Sequence, residues 1–302
     1  MNLPESSLRL QAAIEQRSSS VLVLGLGAVG LAMVQVLLEA GYRVHAADTR
    51  SEPIEAVAAG RSPMAHIPAA WCEAMARHPK LRLQRVEPGA RLVFAAEELP
   101  SIGVICVPTP LDAQGQPDLG PLESAAHTLG QSLAPECLVL LESTTYPGTT
   151  RNVLAPILRE HGRSDASRVF VAFAPERVNP GHGDPAARGA PRLVGGLTPD
   201  ATRLAQAFYQ SLGYAVEVTA RAEVAEAAKL VENVYRAVNI SLVNELKLVF
   251  AAQGIDIWEV LDAAQTKGFG FQRFDPGPGA GGSCIPIDPR YLEYFARQGG
   301  VP

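Results

Sequence analysis

One stretch near the end of the chain, Phe274 to Pro289, sets a thiol and a carboxylate on backbone that is costly to order. Gly277, Gly279, Gly281 and Gly282 alternate with Pro276 and Pro278 ahead of Cys284, and Asp288 follows the thiol at the predicted start of the last helix. Such a run makes neither a helix nor a central strand. It makes a shaped loop that a ligand can approach closely, with Gly281 among the residues that leave room for a bulky substrate. A thiolate at Cys284 adds to an aldehyde to give a hemithioacetal; hydride loss then gives a thioester, and water releases the acid. Asp288 suits holding that water, with Thr144 as its partner.

A second polar set lies on a predicted helix. The run Ala222 to Gln253 has no proline or glycine, and Glu226, Lys229, Asn233 and Arg236 share one face at three-and-four spacing. Lys229 and Asn233 together are a cation and an amide that could stabilise negative charge developing on a substrate oxygen. The plainer alternative is a solvent-exposed Glu226–Lys229 pair.

The hydride needs an acceptor, and the first half of the chain supplies its site. Val21 to Leu24 reads as a buried strand running into Gly25-Leu26-Gly27-Ala28-Val29-Gly30, with a helix from Ala28 to Glu39 and a second strand delivering Asp48. That is the dinucleotide fingerprint in its required context. Gly25 permits the turn, Gly27 lets backbone meet a pyrophosphate, Gly30 lets the helix pack, and Ala28 and Val29 open the helix whose N–H groups face the anion. Asp48 suits the ribose hydroxyls and disfavours a 2′-phosphate, which favours NAD over NADP; Arg50 is a cation that could accept that phosphate, and is expected instead to lie over the adenine.

Further candidates stand at the carboxyl ends of predicted strands, where open α/β sheets bind ligands. Pro108 and Thr109 follow the strand Ser101 to Val107. Thr144 follows Cys137 to Leu141, ahead of Thr149 or Thr150 as caps for a helix from Arg151 to His161. Glu176 follows Val169 to Phe173, either as an acid/base or substrate-orienting group or in a surface salt bridge with Arg177. Cys106, inside an apolar run, reads as a core residue.

The elements that position these groups alternate strand and helix. The expected fold is α/β, a Rossmann-like doubly wound sheet over residues 1–215, followed by a long connecting helix and a small all-helical domain over 216–302. Leu92 to Ala95 is read as a short strand, Arg192 to Gly195 and Ala215 to Val218 as closing strands. Hydrophobic residues are 47% and charged residues 19% of the 302, and the formal charge is −5 without a long basic run. That balance argues against nucleic acid or an anionic membrane as partner. No stretch reaches membrane-spanning length, and the N-terminus lacks the order of a signal peptide. The four cysteines are scattered, with no metal-ligand spacing, so no metal is expected and a reducing cytoplasm fits.

Six segments resemble the UDP-glucose/GDP-mannose dehydrogenase family, especially its branch acting on UDP-N-acetyl-glucosamine and UDP-N-acetyl-mannosamine. They are GLGAVGLAM from Gly25, CVPTPLD from Cys106, ESTTYPGTT from Glu142, APERVNPGH from Ala174, AEAAKLVENVYRAVNISLVNEL from Ala225 and FDPGPGAGGSCIPIDPRYL from Phe274. The resemblance implies two successive NAD-dependent oxidations of the C6 alcohol of a nucleotide sugar to the uronic acid. It implies Cys284 as nucleophile, Lys229 and Asn233 as the oxyanion pair, and Asp288 and Thr144 at the water. Glu176 would sit on the substrate loop with Arg177 and Asn179. It further implies a cytoplasmic homodimer joined through helix 222–253, with the 216–302 segment as dimerisation domain. Several positions depart from the pattern. Ala28 stands where tyrosine is common, Ala32 where proline is, and Ser283 where this branch usually has histidine. Pro180 and Ile287 replace a glutamate and a lysine of the UDP-glucose branch. The family's third, uridine-diphosphate-binding domain is absent from these 302 residues, so weak substrate binding and little turnover are expected. The rival readings are a two-electron hydroxyacid or sugar-acid dehydrogenase that leaves Cys284 idle, and a non-catalytic NAD-binding protein.

Overall fold

The computed structural model describes residues 4–65, 67–165, 167–177, 190–279, 281 and 285–301. The chain divides into two compact units, one of Met1–Pro110 with Asp118–Ala227, the other of Leu111–Pro117 with Ala228–Pro302.

Among the described residues the first unit holds eight strands: β1 (Ser20–Leu24), β2 (Arg43–Asp48), β3 (Leu81–Arg85), β4 (Ile102–Ile105), β5 (Cys137–Leu141), β6 (Val169–Phe173), β7 (Arg192–Gly196) and β8 (Val216–Val218). They form one sheet in the order β3-β2-β1-β4-β5-β6-β7-β8. Every residue of β1, β4, β5 and β6 is buried. Continuous apolar runs are what a parallel sheet covered on both faces requires. The covering helices are α1 (Glu5–Glu15), α2 (Ala28–Glu39), α3 (Ser51–Ala58), α4 (Ala69–Ala76), α5 (Gly120–Ser132), α6 (Ala155–Glu160) and α7 (Pro199–Ser211). The first six strands run parallel, whereas β7 pairs antiparallel with β6, Phe173 facing Gly195, and β8 runs parallel to β7. This is the Rossmann-like doubly wound sheet, and its order reverses between β1 and β4. Ligand crevices open beyond the carboxyl ends of strands at that switch point.

Three local expectations are corrected. The segment Leu92 to Ala95 is irregular, not a strand: the Leu92 N–H is taken by Ser132 Oγ at 2.9 Å, away from any ladder. The edge strand is instead β3, whose alternating Arg and Gln side chains leave only Leu81 buried. The helix expected from Arg151 opens as a π-helical turn, Thr150–Leu154, and neither Thr149 nor Thr150 caps it by side chain. Thr149 Oγ1 turns back to the Tyr146 carbonyl at 2.8 Å.

In the second unit α8 (Ala222–Ala251), from Ala228 onward, is followed by α9 (Ile257–Ala264) and α10 (Asp288–Gln298). Its core is small: Val243, Ile257 and Leu261, with Leu246, Phe250, Val260 and Phe274 packed against them. Asp256 caps α9 by accepting from the Trp258 N–H at 3.0 Å. The glycine–proline stretch is tied to α8 as far as it is described. Asn244 Oδ1 accepts from the Gly277 N–H at 2.9 Å, Tyr235 donates to Gln272 Oε1 at 2.9 Å, and the Tyr235 and Phe274 rings meet edge to face.

Candidate active site

At the switch point of the first unit, three glycines have three separable reasons. Gly25 adopts φ +94°, and a side chain there would come within 2.5 Å of the Cys106 carbonyl oxygen. At Gly30 a Cβ would lie 1.8 Å from the Gly25 carbonyl oxygen, so α2 could not seat on the turn. Gly27 has open space on the side where a Cβ would point. The first turn of α2, opened by Ala28 and Val29, carries no side-chain cap, which leaves its N–H groups for an anion. Asp48 closes the crevice at the end of β2. One carboxylate oxygen accepts from the Leu26 N–H at 2.8 Å and the other from the Arg50 N–H at 2.9 Å. The exposed Arg50 guanidinium lies 3.6 Å from Asp48 Oδ1. Beyond β4, Pro108 is exposed and Thr109 half-buried.

Beyond β5 and β6 the same unit contains a buried ionic cluster that the sequence did not suggest. Arg192, at the start of β7, is almost wholly buried, with Nη2 2.8 Å from Glu176 Oε2 and Nη1 3.7 Å from Glu142 Oε2. Its guanidinium carbon lies 4.9 Å from the ring centres of both Tyr209 and Tyr214, in the corner of two rings that meet edge to face at 6.1 Å, a double cation–π contact. Tyr209 donates to Glu142 Oε1 at 2.7 Å. Burial pushes Glu142 up to about 7, with Arg192 pulling the other way. Glu176 is therefore not in a surface salt bridge with Arg177. Its partner is Arg192, its Oε1 accepts from the Arg177 N–H at 2.7 Å, and the Arg177 guanidinium donates to the Pro191 carbonyl at 2.7 Å. Cys106 is a core residue whose thiol is raised well above its ordinary value by burial, so it is no thiolate. A lone arginine opening the apolar strand Arg192-Leu-Val-Gly-Gly was the available signal.

Glu226 has a structural task in the first unit, and the solvent-exposed pair with Lys229 is excluded by its complete burial. It accepts from the Gly148 N–H at 2.6 Å, the Thr150 N–H at 2.8 Å and the Thr150 hydroxyl at 2.6 Å. Thr144, on the same segment, is half-buried.

The second unit gathers three of the named groups. Asn233 Nδ2 donates to Asp288 Oδ2 at 2.5 Å, tying α8 to the first turn of α10. Burial raises the Asp288 carboxyl, while the Asn233 hydrogen bond and the Lys229 charge pull it down. Gly281 is exposed. Cys284 and Asn179, with Ser283 and Pro180, lie outside the described residues.

Comparison with known proteins gives this arrangement its family. Residues 19–213 match the NAD binding domain, and residues 223–302 the central domain, of the UDP-glucose/GDP-mannose dehydrogenase family. The chain belongs to that family. It is similar to the UDP-N-acetyl-D-glucosamine 6-dehydrogenase of Pseudomonas aeruginosa, 38% identical over 66% of this chain and 47% of that one. It is also similar to the UDP-N-acetyl-D-mannosamine dehydrogenase of Pyrococcus horikoshii, 34% identical over 92% of this chain and 65% of that one. Among solved structures, a UDP-glucose dehydrogenase from Pyrobaculum islandicum matches 94% of this chain and 65% of its own at TM-score 0.81 and 27% identity. The chain thus spans about half of the first relative and under two thirds of the others. NAD is the cofactor of the matched domain, and the residues fit it. Gly27 has the open face a pyrophosphate needs, α2 offers uncapped N–H groups, and the Asp48 carboxylate keeps lone pairs for ribose hydroxyls.

Proposed function

We propose that this dehydrogenase-family chain oxidises the C6 alcohol of a UDP-N-acetyl-hexosamine, or a related nucleotide sugar, to the uronic acid in two NAD-dependent steps. The observation that most supports this reading is the hydrogen bond between Asn233 and Asp288 beside the Lys229 charge. It joins, on α8 and α10, an amide, a cation and a carboxyl able to hold a proton. A nicotinamide bound here would accept one hydride in each oxidation, NADH being replaced by a second NAD⁺ between the two. Gly25, Gly27, Ala28, Val29, Gly30 and Asp48 hold that cofactor, with Arg50, Pro108, Thr109 and Thr144 completing its site.

In the first oxidation the alcohol gives up its hydroxyl proton and a hydride from C6 and becomes the aldehyde. The Cys284 sulfur then adds to the aldehyde carbon, and Lys229 and Asn233 stabilise the oxyanion that forms. Loss of the second hydride leaves a thioester. Water, held by Asp288 with Thr144, attacks the acyl carbon and breaks the C–S bond, so the thiol is regenerated. Glu176, Arg177, Asn179 and Gly281 are assigned to the sugar nucleotide. We further propose a cytoplasmic homodimer formed on α8. Among the described residues no helix is long and apolar enough to cross a membrane.

The test is a panel of UDP-sugars incubated with NAD⁺, following NADH and acid together. Two NADH for each acid supports the thioester route. One NADH, with the aldehyde or ketone as product, overturns it.

A further inference from the structure

The Arg192 cluster is not explained by stability. Burying a guanidinium between two carboxylates carries a large desolvation cost, and well-packed apolar residues of similar volume often do as well or better. What an ionic cluster can supply is a fixed geometry at its open end, and here the open end is Glu176. Arg192 and Glu142 are almost completely buried, whereas the Glu176 side chain keeps 17% of its surface.

The registry of the sheet explains the meeting. β6 and β7 are antiparallel with Ala172 facing Gly196 and Phe173 facing Gly195, so continuing the two chains brings Glu176 opposite Arg192. The same continuation puts Arg177 opposite Pro191, whose carbonyl it reaches. Arg192 lies over both the Tyr209 and Tyr214 rings, which meet each other edge to face, and Tyr209 is itself anchored on Glu142. Glu176 then has one oxygen on Arg192 and the other on the Arg177 N–H.

We propose that Arg192 is a positioning residue: seated in the corner of the Tyr209 and Tyr214 rings, it holds Glu176 as a fixed hydrogen-bond acceptor for a hydroxyl or amide of the sugar, not as a mobile acid/base. This rests on the reading of the Glu176 segment as the substrate loop. A carboxylate with one oxygen receiving an N–H and the other held in an ion pair still accepts a further hydrogen bond through its lone pairs. Its orientation is set before the sugar arrives, which lowers the ordering cost of binding.

Amide hydrogen exchange on the 302-residue chain tests the positioning directly. In Arg192→Lys the Arg177 amide should exchange about tenfold faster, the scale of one charge-assisted hydrogen bond, while β6 and α7 amides and NAD affinity stay unchanged. The double variant Arg192→Lys/Glu176→Gln should be no faster there than Glu176→Gln alone. Unchanged exchange at Arg177, or a loss of protection spread through β6, β7 and α7, would overturn the proposal. Should Arg192→Lys not fold, Tyr214→Leu removes one of the two ring contacts and keeps Arg192, Glu142 and Glu176; it must show the same local effect. Calorimetry with a UDP-N-acetyl-hexosamine separates the substrate reading. Equal affinity losses in Arg192→Lys, Glu176→Gln and the double variant support both proposals. Additive losses overturn this one, and a wild-type chain that binds no nucleotide sugar overturns the substrate reading while the exchange result still decides the role of Arg192.

Discussion

The carboxylate of Glu226 accepts hydrogen bonds from the backbone N–H groups of Gly148 and Thr150, which lie 78 and 76 residues earlier in the chain. The Thr150 hydroxyl makes a third. A buried carboxylate is thereby placed at the start of a helical segment, where N–H groups lack intrahelical partners and the helix dipole favours negative charge. Glu226→Gln keeps the shape but turns an amide N–H toward one of these donors. It should cost about 2 kcal/mol and lower Tm, and Glu226→Ala should cost more. Thermal unfolding checks both, and an unchanged Tm in Glu226→Ala would remove the structural role.

The glycine turn separates packing from cofactor binding. Gly30→Ala puts a Cβ into the Gly25 carbonyl and should lower Tm by several degrees. Gly27→Ala meets open space and should leave Tm intact. For NAD the order reverses in what it reveals: Gly27→Ala should weaken binding about tenfold or more by crowding the pyrophosphate. Calorimetric titration with NAD⁺ and with NADP⁺ also tests Asp48. Asp48→Ala should lose NAD affinity, since the same carboxylate holds the Leu26 N–H.

Cys284, Lys229 and Asp288 should fail in different ways. Cys284→Ser should abolish acid formation and spare NAD binding. Lys229→Ala should lower the chemical rate more than cofactor affinity, by about two orders of magnitude if it stabilises an oxyanion. Asp288→Asn should keep the contact with Asn233 through its amide oxygen yet slow thioester hydrolysis, so a burst of NADH would precede a slow steady state. Rapid-mixing absorbance of NADH, alongside acid product, distinguishes the three.

Much of the sheet was legible because β1, β5 and β6 are unbroken apolar runs between turn residues, and a buried parallel strand needs little else. β3 was not, because an edge strand with one buried residue looks like a polar loop. Leu92 to Ala95 misled for the opposite reason: an apolar run need not be a strand, and here Leu92 is buried and Phe94 stands edge-on to buried His45 while Val93 is 77% exposed. Helical spacing put Glu226 beside Lys229 but could not reveal that the first turn of α8 reaches Gly148. The Arg192–Glu176 pair was hidden too, since it follows from the antiparallel register of β7, which no local pattern encodes.

Glu142 ties stability to pH. Its carboxyl is raised from 4.5 to about 7, with Arg192, Glu176, Tyr209 and Cys106 as the groups facing it. The folded state therefore binds a proton more tightly than the unfolded chain. That contribution is fully present below about 4.5 and is lost as pH rises through about 7. Glu142→Gln mimics the protonated form and can still accept from Tyr209. Its stability relative to wild type should match near pH 5 and grow more favourable toward pH 8, as read from denaturant midpoints across that range. A difference that does not vary with pH would place the titration elsewhere.

The long helix carries the last prediction. Val231, Tyr235, Val238 and Leu242 recur at three-and-four spacing along α8, Val249 follows two turns on, and all are exposed, Val231 and Val238 at 60% each. An exposed apolar stripe of this kind is costly to leave in water and is the surface the proposed homodimer would cover. Its length suits a second copy of the same helix packed along it, since closed two-fold contacts are the commonest assembly. Val238→Asp places a charge in the middle of the stripe without touching the small core of Val243, Ile257 and Leu261. Sedimentation should give a dimer for the wild-type chain and a monomer for the variant, with NAD affinity retained because Asp48 and the glycine turn belong to the first unit. A wild-type monomer at micromolar concentration, or a variant that stays dimeric, would rule out α8 as the interface.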